Sequence, residues 1–186
     1  MKGLKYLILA AVLMMCGFTM SAAAAEPLRG TKTFNKAGFG YVIQYPDGWL
    51  SYTEGRHTAM FIGKEGTKQN YPTVVIKNLL AASQGGKFRA VDGVITDLEN
   101  QLRSTSEAMV FNPEPFKYTK DGFNLTGTQC VAEYTIKKER FKQWAVVMPD
   151  GNKPSFYVWS YTAPEAAYDV YLPIAKAMFD SWVLKE

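Results

Sequence analysis

The chain is poor in the residues that carry most metal, disulfide and phosphate chemistry. One histidine and two cysteines among 186 residues exclude a multi-histidine metal centre, a four-cysteine zinc site and a disulfide-dense scaffold. Charge of neither sign accumulates: a formal net charge of +4 is too weak to announce a nucleic-acid binder. The glycines of Gly63-Lys-Glu-Gly-Thr-Lys68 lack the spacing and the Lys-Ser/Thr pair of a phosphate-binding loop. There is no G-x-S-x-G nucleophile elbow, and no internal repeat or linker divides the sequence. No cofactor, metal or nucleic-acid partner is therefore expected. What the chain has in quantity is apolar surface, with 47% hydrophobic and 14% aromatic residues. That is too apolar for a disordered segment, and the length suits one ordinary domain.

The first 25 residues read as a secretory signal peptide. Lys2 and Lys5 form a positive start, Tyr6–Phe18 is an uncharged and mostly apolar run, and Ala22-Ala-Ala-Ala25 supplies the small residues a signal peptidase needs. The apolar run is shorter than the ~20 residues of a membrane-spanning helix, so cleavage after Ala25 is expected. Met15 precedes Cys16, where a lipid-attachment site needs a small residue, so no lipid anchor is expected. Cleavage removes two basic residues and Cys16. It halves the formal charge and leaves Glu26–Glu186 as a single domain with Cys130 as its sole thiol.

Tyr41, Ile43 and Tyr45 alternate along Gly40–Tyr45 and mark a strand that stops at Pro46-Asp-Gly48. Trp49–Thr53, Thr58–Ile62 and Thr73–Leu79 read as three further strands. Phe88, Val91, Ile95, Leu98 and Leu102 recur at spacings of three and four, which is one face of a helix. Asn112-Pro-Glu-Pro115 reads as a break. Strands return from Gln129, with Cys130, Ala132, Tyr134 and Ile136 on one face, then at Phe141–Met148 and Phe156–Tyr161 around a turn at Pro149–Pro154. Thr162-Ala-Pro-Glu165 matches a capping box, and the stripe from Tyr168 to Trp182 predicts a helix kinked or restarted at Pro173. The expectation is an α+β domain: an antiparallel sheet of six or seven strands with helices packed on it.

Phe39-Gly-Tyr-Val-Ile-Gln-Tyr-Pro-Asp-Gly-Trp49 resembles the opening motif of PsbP/DcrB-like α/β-sandwich proteins. Pro164-Glu165, Tyr168, Tyr171-Leu-Pro173 and Phe179-Asp-Ser-Trp182 resemble the closing helix of that family. The resemblance spans the mature chain and implies a PsbP-like α/β sandwich. It also implies a small non-catalytic module that docks on a partner. The family includes extrinsic photosynthetic subunits, bacterial envelope proteins and a Ran-binding import factor.

The candidate contacts are Arg56 and His57 in one loop, Lys64 and Lys68 in a second, and the aromatic group Trp144, Tyr157 and Trp159 with Tyr161 on neighbouring strands. Exposed, those rings would form a stacking platform; inward, they are core. Cys130 falls on an apolar face and reads as inert core. Lys137–Lys142 reads as a basic cluster guarding a hairpin. The function expected is an exported, non-enzymatic protein- or ligand-binding module of the cell envelope. Its alternatives are a small periplasmic hydrolase using His57 or a chaperone-like envelope stress protein.

Overall fold

The computed structural model describes residues 30–63, 72–120 and 122–185. The signal peptide, its cleavage point at Ala25 and the candidate contacts Lys64 and Lys68 lie outside the described residues. Among the described residues ten strands and two α-helices follow one another as β1 (Thr31–Phe34), β2 (Tyr41–Pro46), β3 (Leu50–Glu54), β4 (Thr58–Ile62), β5 (Thr73–Leu80), α1 (Val91–Thr105), β6 (Met109–Lys120), β7 (Phe123–Ile136), β8 (Glu139–Pro149), β9 (Ser155–Pro164), α2 (Glu165–Ser181) and β10 (Val183–Leu184), with a 3-10 turn at Ala82–Gln84. Seven strands form one antiparallel sheet in the order β3-β4-β5-β9-β8-β7-β6, and β1-β2-β10 form a second, smaller sheet. The architecture is α+β, as the sequence predicts, but with two sheets rather than one.

The large sheet carries a core on each face, and the alternation of its strands sorts the buried side chains between the two. Towards α1, Cys130, Ala145, Val147, Phe156 and Val158 meet Val94 and Ile95. Towards α2 and the small sheet, Val146, Met148, Tyr157, Trp159 and Tyr161 meet Tyr41, Ile43, Met178 and Trp182. Helix α1 has the expected stripe but begins at Val91. Phe88 reaches the same core from the preceding turn, where a bridge pairs it with Ala81.

The two motifs at the ends of the chain meet each other. Val183 and Leu184 pair with Val42 and Tyr41, and the Gln44 amide donates to Ser181 Oγ at 2.9 Å. Gly40, between Phe39 and Tyr41, has a positive φ of 74°, and a Cβ there would lie 2.6 Å from the Tyr157 hydroxyl. Only glycine fits that close approach.

Two local expectations are corrected, and a third, a kink or restart at Pro173, is narrowed. Residues 112–115 are not a break: β6 runs through them, pairing Pro113 with Cys130 and Pro115 with Thr128. Proline is tolerated because β6 is an edge strand. The two nitrogens lie two residues apart and so share one side of the strand, the side with no neighbour. Thr162 does not cap α2, because residues 162–164 are still paired with β8. The strand passes straight into the helix, with Pro164 at the cap position and no side-chain capping bond. Helix α2 runs through Pro173 as one element rather than restarting there.

The basic cluster does sit at a hairpin. Arg140 pairs with Glu165 at 3.0 Å and Lys142 with Glu133 at 3.0 Å. Lys137 and Lys138 form the β7–β8 turn with φ of 50° and 67°, the left-handed conformation that two-residue hairpin turns require and that Asn-Gly adopts most easily. The left-handed region costs a residue with a side chain roughly 1–2 kcal/mol. The double substitution Lys137→Asn, Lys138→Gly is expected to stabilise the protein by about 1 kcal/mol in urea melts; an unchanged or lower midpoint would show that the lysines carry no strain.

Candidate functional site

Among the described residues the sequence-derived contacts do not converge. Arg56 and His57 lie exposed in the three-residue turn between β3 and β4. Among the described residues, no hydrogen bond or ion pair holds the His57 ring; its backbone carbonyl accepts the Asn78 amide at 2.7 Å. A general base needs an orienting partner and a nearby nucleophile, and the described residues bring neither to it. No group of three or more His, Cys, Asp or Glu among the described residues could hold a metal ion. Asp150, a buried acid, closes its own turn by accepting from Ser155 Oγ at 2.9 Å and the Asn152 amide at 3.3 Å.

Tyr157 and Trp159 are not a surface platform. They are 2% and 0% exposed, and both rings touch Trp182, at centroid distances of 5.5 and 5.9 Å. The reason is that the face they share, which could have looked outward, is roofed by the small sheet and α2. Trp144 sits at the rim of this core, half-buried. Its ring lies 5.1 Å from Phe179 and its Nε1 donates to Gln129 Oε1 at 3.2 Å. Cys130 is 1% exposed, and burial pushes its thiol up to about 11.

An accessible apolar surface lies on the α1 side of the large sheet. Helix α1 packs over β6, β7, β8 and β9, and among the described residues no helix covers the β3–β4–β5 end of that face. The strand registers set Leu50 beside Ile62 and Tyr52 beside Met60, and Met60 beside Val75. These five residues belong to neither core. Leu50 is 36% and Tyr52 52% exposed, and Met60, Ile62 and Val75 are half-buried. Where this floor meets α1, a groove of about 110 Å³ runs between Lys77, Leu79 and Val158 on the sheet and Asp97, Leu98 and Gln101 on the helix.

A second hollow of about 380 Å³, at the start of α1, is lined by Asp92, Glu114 and the two β6 prolines. It offers no cation or histidine. The sequence did carry a signal for the open floor. Thr58-Ala-Met-Phe-Ile62 is apolar on both faces: Ala59 and Phe61 fill the aromatic core, which leaves Met60 and Ile62 for the other side.

No protein-family model matches the sequence, and no curated protein sequence matches it. Solved structures do. The cyanobacterial PsbP (CyanoP) of Synechocystis sp. PCC 6803 superposes with a TM-score of 0.56 at 15% identity, over 92% of this chain and 98% of that one. The Saccharomyces cerevisiae Ran-binding protein Mog1p gives 0.54 at 10%, over 83% and 95%. LpqN of Mycobacterium tuberculosis, involved in cell envelope biogenesis, gives 0.52 at 14%, over 85% and 93%. A longer Bacteroides thetaiotaomicron protein also matches, at 0.50 and 11%; the match covers 83% of this chain and about half, 48%, of that one. The chain therefore has the PsbP-like fold that its two end motifs imply.

The buried phenols give the aromatic core a pH signature. Desolvation raises Tyr41, Tyr157 and Tyr161 far above the ordinary tyrosine value, and pushes Tyr168 up to about 12. A folded-state pKa above the unfolded one contributes stability that is present at neutral pH and lost as pH rises through and beyond 10. Alkaline titration followed by phenolate absorbance is expected to show these tyrosines ionising together, late and with cooperative unfolding. Gradual ionisation of all tyrosines near pH 10 in a folded protein would place the rings at the surface.

Proposed function

We propose that the chain is an exported, non-enzymatic binding module of the cell envelope, and that it holds a protein partner on the open β3–β4–β5 floor. The observation that carries this reading is the floor itself: Leu50, Tyr52, Met60, Ile62 and Val75 form contiguous apolar surface that belongs to neither core. Contiguous exposed apolar surface on a folded domain marks an interaction site more often than chance. Its rim is polar and of both signs, with Glu54 and Lys77 exposed on the same face and Arg56 on the adjoining turn. An apolar centre inside a polar rim is the anatomy of a protein interface rather than of a site for a small anion.

Export is supported by the Lys2-to-Ala25 pattern, and the envelope by the shared fold with LpqN. Among the described residues no helix is long and apolar enough to cross a membrane. The resemblance to docking modules supports a non-catalytic role. The reading using His57 as a catalytic base has no geometric support among the described residues, because nothing orients that ring.

The test places a photo-cross-linking residue at Val75, at Thr58, or at the exposed control position Val170 on α2, in the exporting cell. Val75 and Thr58 are expected to give the same adduct and Val170 none. A lysine at Met60 should lower the adduct yield about tenfold, the size expected for a charge set into an apolar interface centre, while His57→Ala leaves it unchanged. Adducts indifferent to Met60→Lys, or a catalytic turnover abolished by His57→Ala, would sink the proposal.

A further inference from the structure

The two edges of the large sheet differ in a way that the proposed partner site does not explain. At the β6 edge, Pro113 and Pro115 turn their nitrogens, which have no proton, to the open side. Two of the donors that an added strand would need are absent there. The β3 edge has no such guard. Leu50-Ser-Tyr-Thr-Glu54 contains no proline, glycine or lysine, all five residues are exposed, and its ladder with β4 runs one-to-one without a bulge. An exposed, regular edge without proline, glycine or lysine, with Tyr52 and Thr53 at its centre, is a template for another strand.

The sequence of β3 also matches itself. Laid antiparallel about a two-fold axis at Tyr52, the strand sets Tyr52 against Tyr52 of a second copy and Ser51 against Thr53. The aromatic pair is favourable across strands, while the Ser51 hydroxyl already meets the Tyr45 hydroxyl at 3.2 Å. Leu50 meets the aliphatic stem of Glu54. The same arrangement brings the Asp47 end of one strand to the Arg56-His57 end of the other. Asp47 is exposed there and paired with Lys32 at 3.1 Å, and Arg56 and His57 are exposed in the turn that follows β3. Opposite charges thus meet at both ends of the ladder, as two-fold symmetry demands of any complementary pair. Lys36 Nζ donates to Thr53 Oγ1 at 2.9 Å on the opposite face of the strand from Tyr52, and does not obstruct the Tyr52 side.

We infer that β3 is a homodimerisation edge: two copies pair antiparallel through Leu50–Glu54, with Tyr52 on the dyad, and their large sheets join into one. The two open floors then become continuous, walled on the far sides by the two α1 helices. The inference goes beyond the partner-binding role and does not depend on it, since it rests on the strand edge and not on the floor. A five-residue ladder with two apolar side chains per copy lies at the small end of interfaces, so the dimer is expected to dissociate on dilution.

Cysteine substitution reads the register directly. Residues facing each other across an antiparallel pair have Cα atoms about 4.5–5.5 Å apart, within disulfide reach. In a Cys16→Ser background, with Cys130 buried, Tyr52→Cys protein is expected to form a covalent dimer on mild oxidation. Ser51→Cys and Thr53→Cys should each fail alone and cross-link when mixed. Sedimentation of the unmodified protein between about 10 μM and about 1 mM, the range where weak dimers assemble, should show reversible dimerisation. Tyr52→Lys, which sets two like charges on the dyad, should abolish it, with the circular dichroism spectrum unchanged.

A monomer throughout that range overturns the inference, as does a dimer in which Tyr52→Cys does not cross-link. Tyr52→Cys protein that joins a different envelope protein instead of itself also overturns it, by assigning the edge to a foreign strand. A monomer whose Val75 adduct survives would leave the partner-binding role standing. A β3 dimer without a Val75 adduct would do the reverse, so the two proposals fail separately.

Discussion

The fold depends on where Trp182 is held. Its indole contacts Tyr41 from the small sheet, Tyr118, Tyr157 and Trp159 from the large sheet, and Phe179 from its own helix, with centroid distances of 5.5–6.3 Å. Its carbonyl accepts the Tyr118 hydroxyl at 3.1 Å. Each side of this contact fixes the other. Strand β2 cannot bury Tyr41 and Ile43 without a surface to face, and α2 cannot close over β8 and β9 unless its end is tied down by the β10–β2 pairing. Edge and offset ring contacts add to the area buried, so the aromatic-rich composition is largely consumed between the two sheets.

This explains which features were legible in the sequence. The alternation of Tyr41, Ile43 and Tyr45, the stripe on α1 and the hairpin at residues 149–154 are local signals, and local periodicity survives into the structure when one face is buried. The small sheet was not legible because its third strand is only Val183–Leu184, too short to show a period, and its pairing with β2 spans most of the chain. The β6 prolines misled for a related reason: proline reads as a break until the strand is known to lie at an edge. The capping box at Thr162 failed because pairing with β8 claimed the residues that would have capped α2.

The candidate site divided along the same line. Placing Arg56 and His57 in an exposed turn needs only the strands on either side, and that much was readable. Deciding whether Tyr157 and Trp159 face solvent needs knowledge of what covers each side of β9, and the covering elements come from both ends of the chain. Alternation says that two faces differ, and it does not say which is roofed. A strand with large apolar residues on both faces, such as β4, is the informative case. Either both faces are covered within the chain, or one waits for something outside it.

Among the described residues one apolar face of β4 is left uncovered, and geometry gives the reason. A helix is about 10 Å across, and strands are spaced about 4.8 Å apart, so one helix covers two to three strands. The face opposite the aromatic core spans seven strands, and among the described residues α1 is the helix that covers it, over β6 to β9. Among the described residues the β3–β5 end is therefore left open, and its side chains had two physical options: become polar, as on a solvated sheet, or stay apolar and meet another surface. Thr58, Thr73 and Lys77 take the first course at the margin, whereas Leu50, Tyr52, Met60, Ile62 and Val75 take the second. Such an apolar floor, next to an edge that lacks the guards present at β6, is better matched to association than to solvent. The opposite face, sealed by α2 and the small sheet, supplies the stability that lets this one stay open.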